Sequence, residues 1–295
     1  MLRYIVKRLL TLIPLLLGVS LIVFLLLRLG PNDPAMSYLR LSGIPPTEQA
    51  LAEARSELGL DRTLPVQYLS WLGRAVRLDF GDSYVTGAPV TEHLLHYLPN
   101  TLYLAGVSML LTILLSVPLG ILSAVYKDRW QDRLTRLIAY VGVSTPSFWL
   151  GFLLMILFSV KLDWLPPMGI GGPSHVIMPA LSIALMSMCV NMRLIRASML
   201  EQMNNRHVFY ARLRGVKERR IITRHVFRHA LIPVITALGM HMGEILGGPG
   251  TAEGVFSWPG VGRYAVSALC DPALPAMTCF VLLLTAPCGL PNLLR

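Results

Sequence analysis

Few side chains in this sequence are equipped for chemistry, and they fall in two places. The first is G-M-H-M-G-E at 239–244, where His241 stands three residues and Met240 four residues before Glu244. That spacing puts all three on one helical face. Imidazole and carboxylate are competent ligands for nickel-like ions, and thioether suits softer metals. Met188, Cys189 and Met192 form a similar group on an earlier apolar stretch. An ionised side chain at the bilayer centre costs about 2.5–3.5 kcal/mol on insertion scales, so such residues face a cavity. His241, Glu244 and Met240, with Met188 and Met192, are therefore candidates to line a translocation path. Plain packing is the alternative for the methionines, which readily fill irregular gaps. The sequence contains no G-x-x-x-x-G-K-[ST], H-E-x-x-H or G-x-S-x-G, and no close carboxylate pair within an apolar stretch. No catalytic residue or cofactor is expected, and no metal site is defined.

The second place is 206–236, with eight Lys or Arg against one acid, Glu218. Apolar segments long enough to cross a membrane flank it, and a basic loop between such segments belongs in the cytoplasm. Ala211 and Gly215 are four apart, which predicts a shared helical face where small residues let another protein approach the backbone. Arg212 and Arg214 offer charge to an acidic surface. A loop that only fixes topology is the plainer reading. A nucleic-acid partner is set aside, because the loop is tied to the bilayer at both ends.

Composition supplies the elements that must position these groups. Hydrophobic residues make up 54% of the 295-residue chain and charged ones 14%, against about 25% charged in soluble domains. This is an all-α integral membrane protein by expectation. Cys189, Cys270, Cys279 and Cys288 show no C-x-x-C spacing, so disulfide or zinc frameworks are not expected. Lys7 and Arg8 precede an apolar run to Leu27 with no small-x-small cleavage site after it, which predicts an uncleaved membrane helix. Six stretches approach the roughly 20 apolar residues of a span: 9–29, 101–126, 135–160, 176–200, 230–248 and 274–290. Lys and Arg cluster before residue 9, in 127–136 and in 193–228, but 161–175 holds only Lys161 and 244–275 only Arg263. The alternation predicts a cytoplasmic N-terminus and six crossings. The organisation expected is a membrane helix at 1–29, an external segment at 30–100, and a core at 101–290 with a cytoplasmic loop at 201–229.

Within the external segment, Pro45-Pro46-Thr47 predicts a helix start with Thr47 as N-cap and Glu48 in the first turn. Leu51, Ala54 and Leu58 form its apolar face, and Gly59 ends it. Tyr68, Leu72 and Val76 predict a second amphipathic face, leaving Trp71 for the bilayer interface. Pro14, Pro118, Pro146 and Pro179 interrupt apolar spans and predict bends. Gly239, Gly243 and Gly247 suit close helix packing.

The basic stretch resembles the coupling loop of ABC-importer permeases, the EAA loop. The nearer resemblance is to the dipeptide/oligopeptide/nickel permease family, through Ala211, Arg212, Gly215, His225, Leu231, Pro233 and Thr236. Arg206 stands where that family places an acid. Further matching strings are L-G-L-D (58–61), V-Q-Y (66–68), D-F-G (79–81) with Ser83, P-V (89–90) and L-P-N-T-L (98–102). They continue with S-T-P-S-F-W (144–149), W-L-P (164–166), M-P-A (178–180) and F-S-W-P-G-V-G-R-Y (256–264). The M-H-x-G-E string looks most like the nickel branch.

The resemblance implies a type I ABC-importer transmembrane domain in a bacterial inner membrane, coupled to ATP through Ala211, Arg212, Arg214 and Gly215. Implied partners are a second homologous permease, two ATP-binding cassette ATPase subunits and an external substrate-binding protein, around the lipid bilayer. The substrate implied is nickel or a nickel chelate, with di- or oligopeptides as the alternative. An ion-coupled secondary transporter is the competing class, and the inverted repeats it calls for are not found. The sequence departs from the family at Pro249-Gly250, at Pro287 and Gly289-Leu290-Pro291, and in lacking the N-x-x-x-D and D-P-R of the family's ending. A truncated product would have this form.

Overall fold

The computed structural model describes residues 2–29, 33–77, 79–81, 89–247 and 250–270. Their regular elements are all helices, α1 to α13, with two π-helical stretches. The stretch expected at 274–290, Pro249, Pro287, Gly289-Leu290-Pro291, Ser83, Cys279 and Cys288 lie outside these residues. The described residues form two compact units, one holding those up to 101 together with 259–270, the other holding 102–258.

The first unit holds α1 (Leu2–Leu29), α2 (Pro34–Leu41), α3 (Glu48–Glu57), α4 (Leu64–Ala75), the start of α5 (Val90–Val125) and α13 (Val261–Cys270). Helix α3 begins as its sequence predicts: Thr47 Oγ1 accepts the Ala50 N–H at 3.2 Å, and Gly59 follows the helix with φ +64. Asp33 caps α2 by accepting the Ala35 N–H and reaches Arg55 of α3 at 2.7 Å. Burial alone would raise the Asp33 carboxyl, but the bonds from Arg55 and the Ala35 amide outweigh it and hold it below its ordinary value of 3.8.

Helix α4 departs from expectation. Trp71 is buried against Phe24 of α1, whereas Val76 is 77% exposed. The buried face is Tyr68, Trp71, Leu72 and Ala75, because α4 has α1 as an apolar neighbour and stops at Ala75. Tyr68 Oη also shares a hydrogen with Ser20 Oγ at 2.8 Å. Two of the family-like strings meet here. Asn100 Nδ2 donates to Pro259 O at 2.9 Å, and Thr101 Oγ1 accepts the Val261 N–H at 2.8 Å.

The second unit continues α5 and adds α6 (Trp130–Ser144), α7 (Ser147–Leu154), α8 (Pro173–Met203), α9 (Arg206–Leu213), α10 (Glu218–Arg220), α11 (Phe227–Gly247) and α12 (Gly250–Val255). A π-helical stretch, Met155–Lys161, extends α7, and another, Ile221–Val226, joins α10 to α11. Among the described residues, three continuous helices are long and apolar enough to cross a membrane: Val90–Val125, Pro173–Met203 and Glu218–Ile245. The stretch expected at 135–160 as one span with a bend at Pro146 is α6 and then α7 with its π-helical extension, meeting at 107°. Thr145 is forced to an extended backbone by the following Pro146, which cannot donate to a helical ladder. Pro14 and Pro179 lie inside continuous helices, as does Pro118.

Small residues let the second unit's helices approach closely. A Cβ on Gly120 of α5 would sit 2.8 Å from Ile195 Cβ on α8, and one on Gly142 of α6 would run into Cys189 Sγ. Met188, Cys189 and Met192 pack with Ala139 of α6 in the same seam, flanked by Leu119, Val143 and Leu185.

Candidate coupling and translocation sites

Helix α9 is short and two-sided. Val208 and Ala211, three apart, are buried in a cluster with Ala124 of α5, Ile195 and Met199 of α8, Ile221 and Val226 of the π stretch, and Ala230 and Val234 of α11. The small Ala211 side chain thus lets α9 sit close to its own bundle. Gly215 does not share the α9 face, because the helix ends at Leu213 and Gly215 turns the chain with φ +72. Arg212 is engaged by Glu218, donating from Nη2 to Oε1 at 2.6 Å and from Nε to Oε2 at 3.3 Å. This fork ties α9 to α10 across the Gly215 turn.

The outward face holds residues that charge counting overlooked. Phe209, Tyr210 and Leu213 are each at least 60% exposed, with Arg206, Arg214 and Lys217 exposed around them. The signal for them was an aromatic pair in a helix too short to bury every apolar side chain on one face.

On α11, His241 Nδ1 lies 2.7 Å from Glu244 Oε2, with the imidazole buried and the carboxylate 65% exposed. His241 Nε2 is buried, and Met240 is exposed. The structure therefore presents Glu244 and Met240 outward and uses His241 to orient the carboxylate. At 1.5 Å per residue, Glu244 stands about 26 Å along α11 from Phe227. Met188 and Met192 are buried in the α6–α8 seam, where they pack.

A buried charge with four hydrogen bonds was not singled out from sequence. Asp132, fully buried near the start of α6, accepts four hydrogen bonds. Oδ1 receives Ser123 Oγ at 2.6 Å and Arg196 Nε at 2.7 Å. Oδ2 receives the Asp128 N–H at 2.9 Å and Arg196 Nη2 at 2.8 Å. These donors fill the carboxylate's acceptor capacity and join α5, its following turn, α6 and α8.

Comparison with known proteins matches residues 116–294 to the family described as the binding-protein-dependent transport system inner membrane component. Residues 1–105 match the N-terminal part of such membrane components. The chain belongs to this family. This inner membrane component is a permease subunit of an ABC importer, a transport component with no catalytic role of its own. It is similar to the glutathione transport system permease protein GsiC of Salmonella typhimurium, with 39% identity covering 99% of this chain and 95% of that one. It is 38% identical to GsiC of Escherichia coli strain K12 over the same shares. The nickel branch suggested by M-H-x-G-E finds no support in these relatives.

Proposed function

We propose that this permease subunit carries peptide-type substrates of the size of glutathione or a dipeptide across the inner membrane, driven by ATP hydrolysed in partner subunits. The observation that carries this reading is the similarity to GsiC along 293 residues. Site chemistry supports it over nickel. In a metal–histidine–carboxylate arrangement the carboxylate orients the ring through one nitrogen and the other binds the metal. Here Nδ1 faces Glu244 and Nε2 is buried. An exposed carboxylate held in place on an apolar helix instead suits the ammonium of a passing peptide. Two ATPase subunits seat on α9 of this chain and of a second permease, Phe209, Tyr210 and Leu213 entering an apolar cleft and Arg214 meeting acids at its rim. An external binding protein delivers the substrate.

Uptake of labelled glutathione, a labelled dipeptide and nickel by cells with and without the gene tests the reading. Gene-dependent, ATP-dependent peptide uptake is expected. Gene-dependent nickel uptake without peptide uptake would overturn it.

A further inference from the structure

The buried Asp132 carboxylate poses a physical question. A buried ion pair is seldom the most stable way to hold helices together, because its desolvation cost consumes the attraction, and well-packed apolar residues often do as well. Helix capping accounts for one of its four bonds, the reach back to the Asp128 N–H just before α6. It does not account for the two-pronged link to Arg196, 64 residues away on α8, or for Ser123 on α5.

Location suggests the role. Ser123 and Arg196 are the sequence neighbours of Ala124 and Ile195, and both of those pack in the cluster that seats Val208 and Ala211 of α9. Apolar packing transmits a push from α9 into α5 and α8. It carries little tension, since each atom pair contributes only about 0.1–0.2 kcal/mol and the attraction fades with small separation. Paired charge-assisted hydrogen bonds are stronger and directional. We propose that the Asp132–Arg196 pair, with Ser123, is the tension-bearing tie that makes α5, α6 and α8 move as one body when α9 is displaced. Asp132 and Arg196 are thereby positioning residues for energy coupling, which rests on the reading of α9 as the ATPase seat.

The test uses the assembled importer in proteoliposomes, with partner permease, ATPases and binding protein, and reads dipeptide taken up per ATP hydrolysed. Asp132→Asn and Arg196→Gln are expected to assemble and hydrolyse ATP, yet to lower that ratio by about two- to thirtyfold, the range for mutations within a coupling network. The double variant should be no worse than the poorer single one, since both remove the same tie. An unchanged ratio in either assembled variant overturns the proposal. Should Asp132→Asn fail to assemble, Arg196→Lys decides, since its ammonium keeps the charge without the planar fork: a lowered ratio supports the tie and an unchanged one refutes it. Failure of all variants to assemble assigns the pair to folding alone and also refutes it. Phe209→Ala combined with Leu213→Ala tests the underlying reading separately, through ATPase binding. If binding survives that change, the seat lies elsewhere, whatever the Asp132 variants do.

Discussion

Replacing Gly120 by Ala separates the two opposite effects of a glycine in a membrane helix. Alanine favours the helix over glycine by about 0.8–1 kcal/mol. Against that, the new methyl would lie 2.8 Å from both Ile195 Cβ and Cγ2, and 3.1 Å from the Met192 carbonyl oxygen. Carbon atoms rest at about 3.5–4.0 Å, so the seam must open by roughly 1 Å. Ile195 is fully buried and Met192 O is backbone, so neither yields easily. Overpacking of this kind costs about 1–3 kcal/mol, leaving a net loss between roughly zero and 2 kcal/mol. Gly106, on the same helix with no atom within 4 Å of its would-be Cβ, supplies the control. There only the helix gain of about 1 kcal/mol applies. The measurement is the melting temperature of the two purified variants in one detergent: Gly106→Ala should melt at or above the parent and Gly120→Ala below it. Adding Ile195→Ala should shrink the Gly120→Ala defect measured against Ile195→Ala alone. If the two alanine variants melt together, the close approach of α5 and α8 is wrong.

At the loop, Leu213→Asp should weaken ATPase co-purification at least tenfold, as loss of an interface anchor of about 1.4 kcal/mol or more does, whereas Ala211→Leu should lower thermal stability by forcing bulk under α9. On α11, Glu244→Gln should reduce peptide uptake while membrane protein level holds, and Glu244→Lys should reduce it further by repelling the ammonium; equal uptake by both would remove Glu244 from the path. The Asp33–Arg55 link carries a pH signature. Because the folded-state pKa of Asp33 is depressed, its contribution is present above the unfolded value near 3.8 and is lost as pH falls through the lower folded value. Proteolysis of 33–57 should therefore quicken over that acidic window in the parent, and Arg55→Met should flatten the dependence.

The parts of this architecture written in local sequence were legible. Thr47 and Gly59 bracket α3 as their types demand, the apolar run at 101–126 matches α5 to within a residue at its end, and that at 176–200 falls within α8. The joint between two family-like strings, where Asn100 and Thr101 close onto Pro259 and Val261, was not legible, because nothing local in either string points to the other. What the residue pattern did not reveal was which partner a charge takes and where a helix stops. The basic tally over 127–136 hid Asp132, whose main partner is on α8. In the loop, the same counting did not show that Arg212, exposed on α9, is also engaged by Glu218 six residues later. Helical periodicity placed Gly215 on the face of Ala211 because it assumed that α9 continued. Thr145-Pro146 was counted as a bend within a span, while the fixed proline ring and the extended residue before it turn the chain by 107°.

The π-helical stretch Ile221–Val226 has a consequence for how this chain tolerates changes of length. A π turn closes i→i+5 bonds and so stores one residue more than an α turn. Deleting a single residue such as Thr223 would let the turn relax to α geometry, with α11 and Glu244 keeping their facing. The same deletion within α8 would swing every later side chain by about 100° and tear Arg196 from Asp132. Length variation between the loop and the helix that follows it is thus absorbed at one wide turn, and the faces beyond it stay in phase.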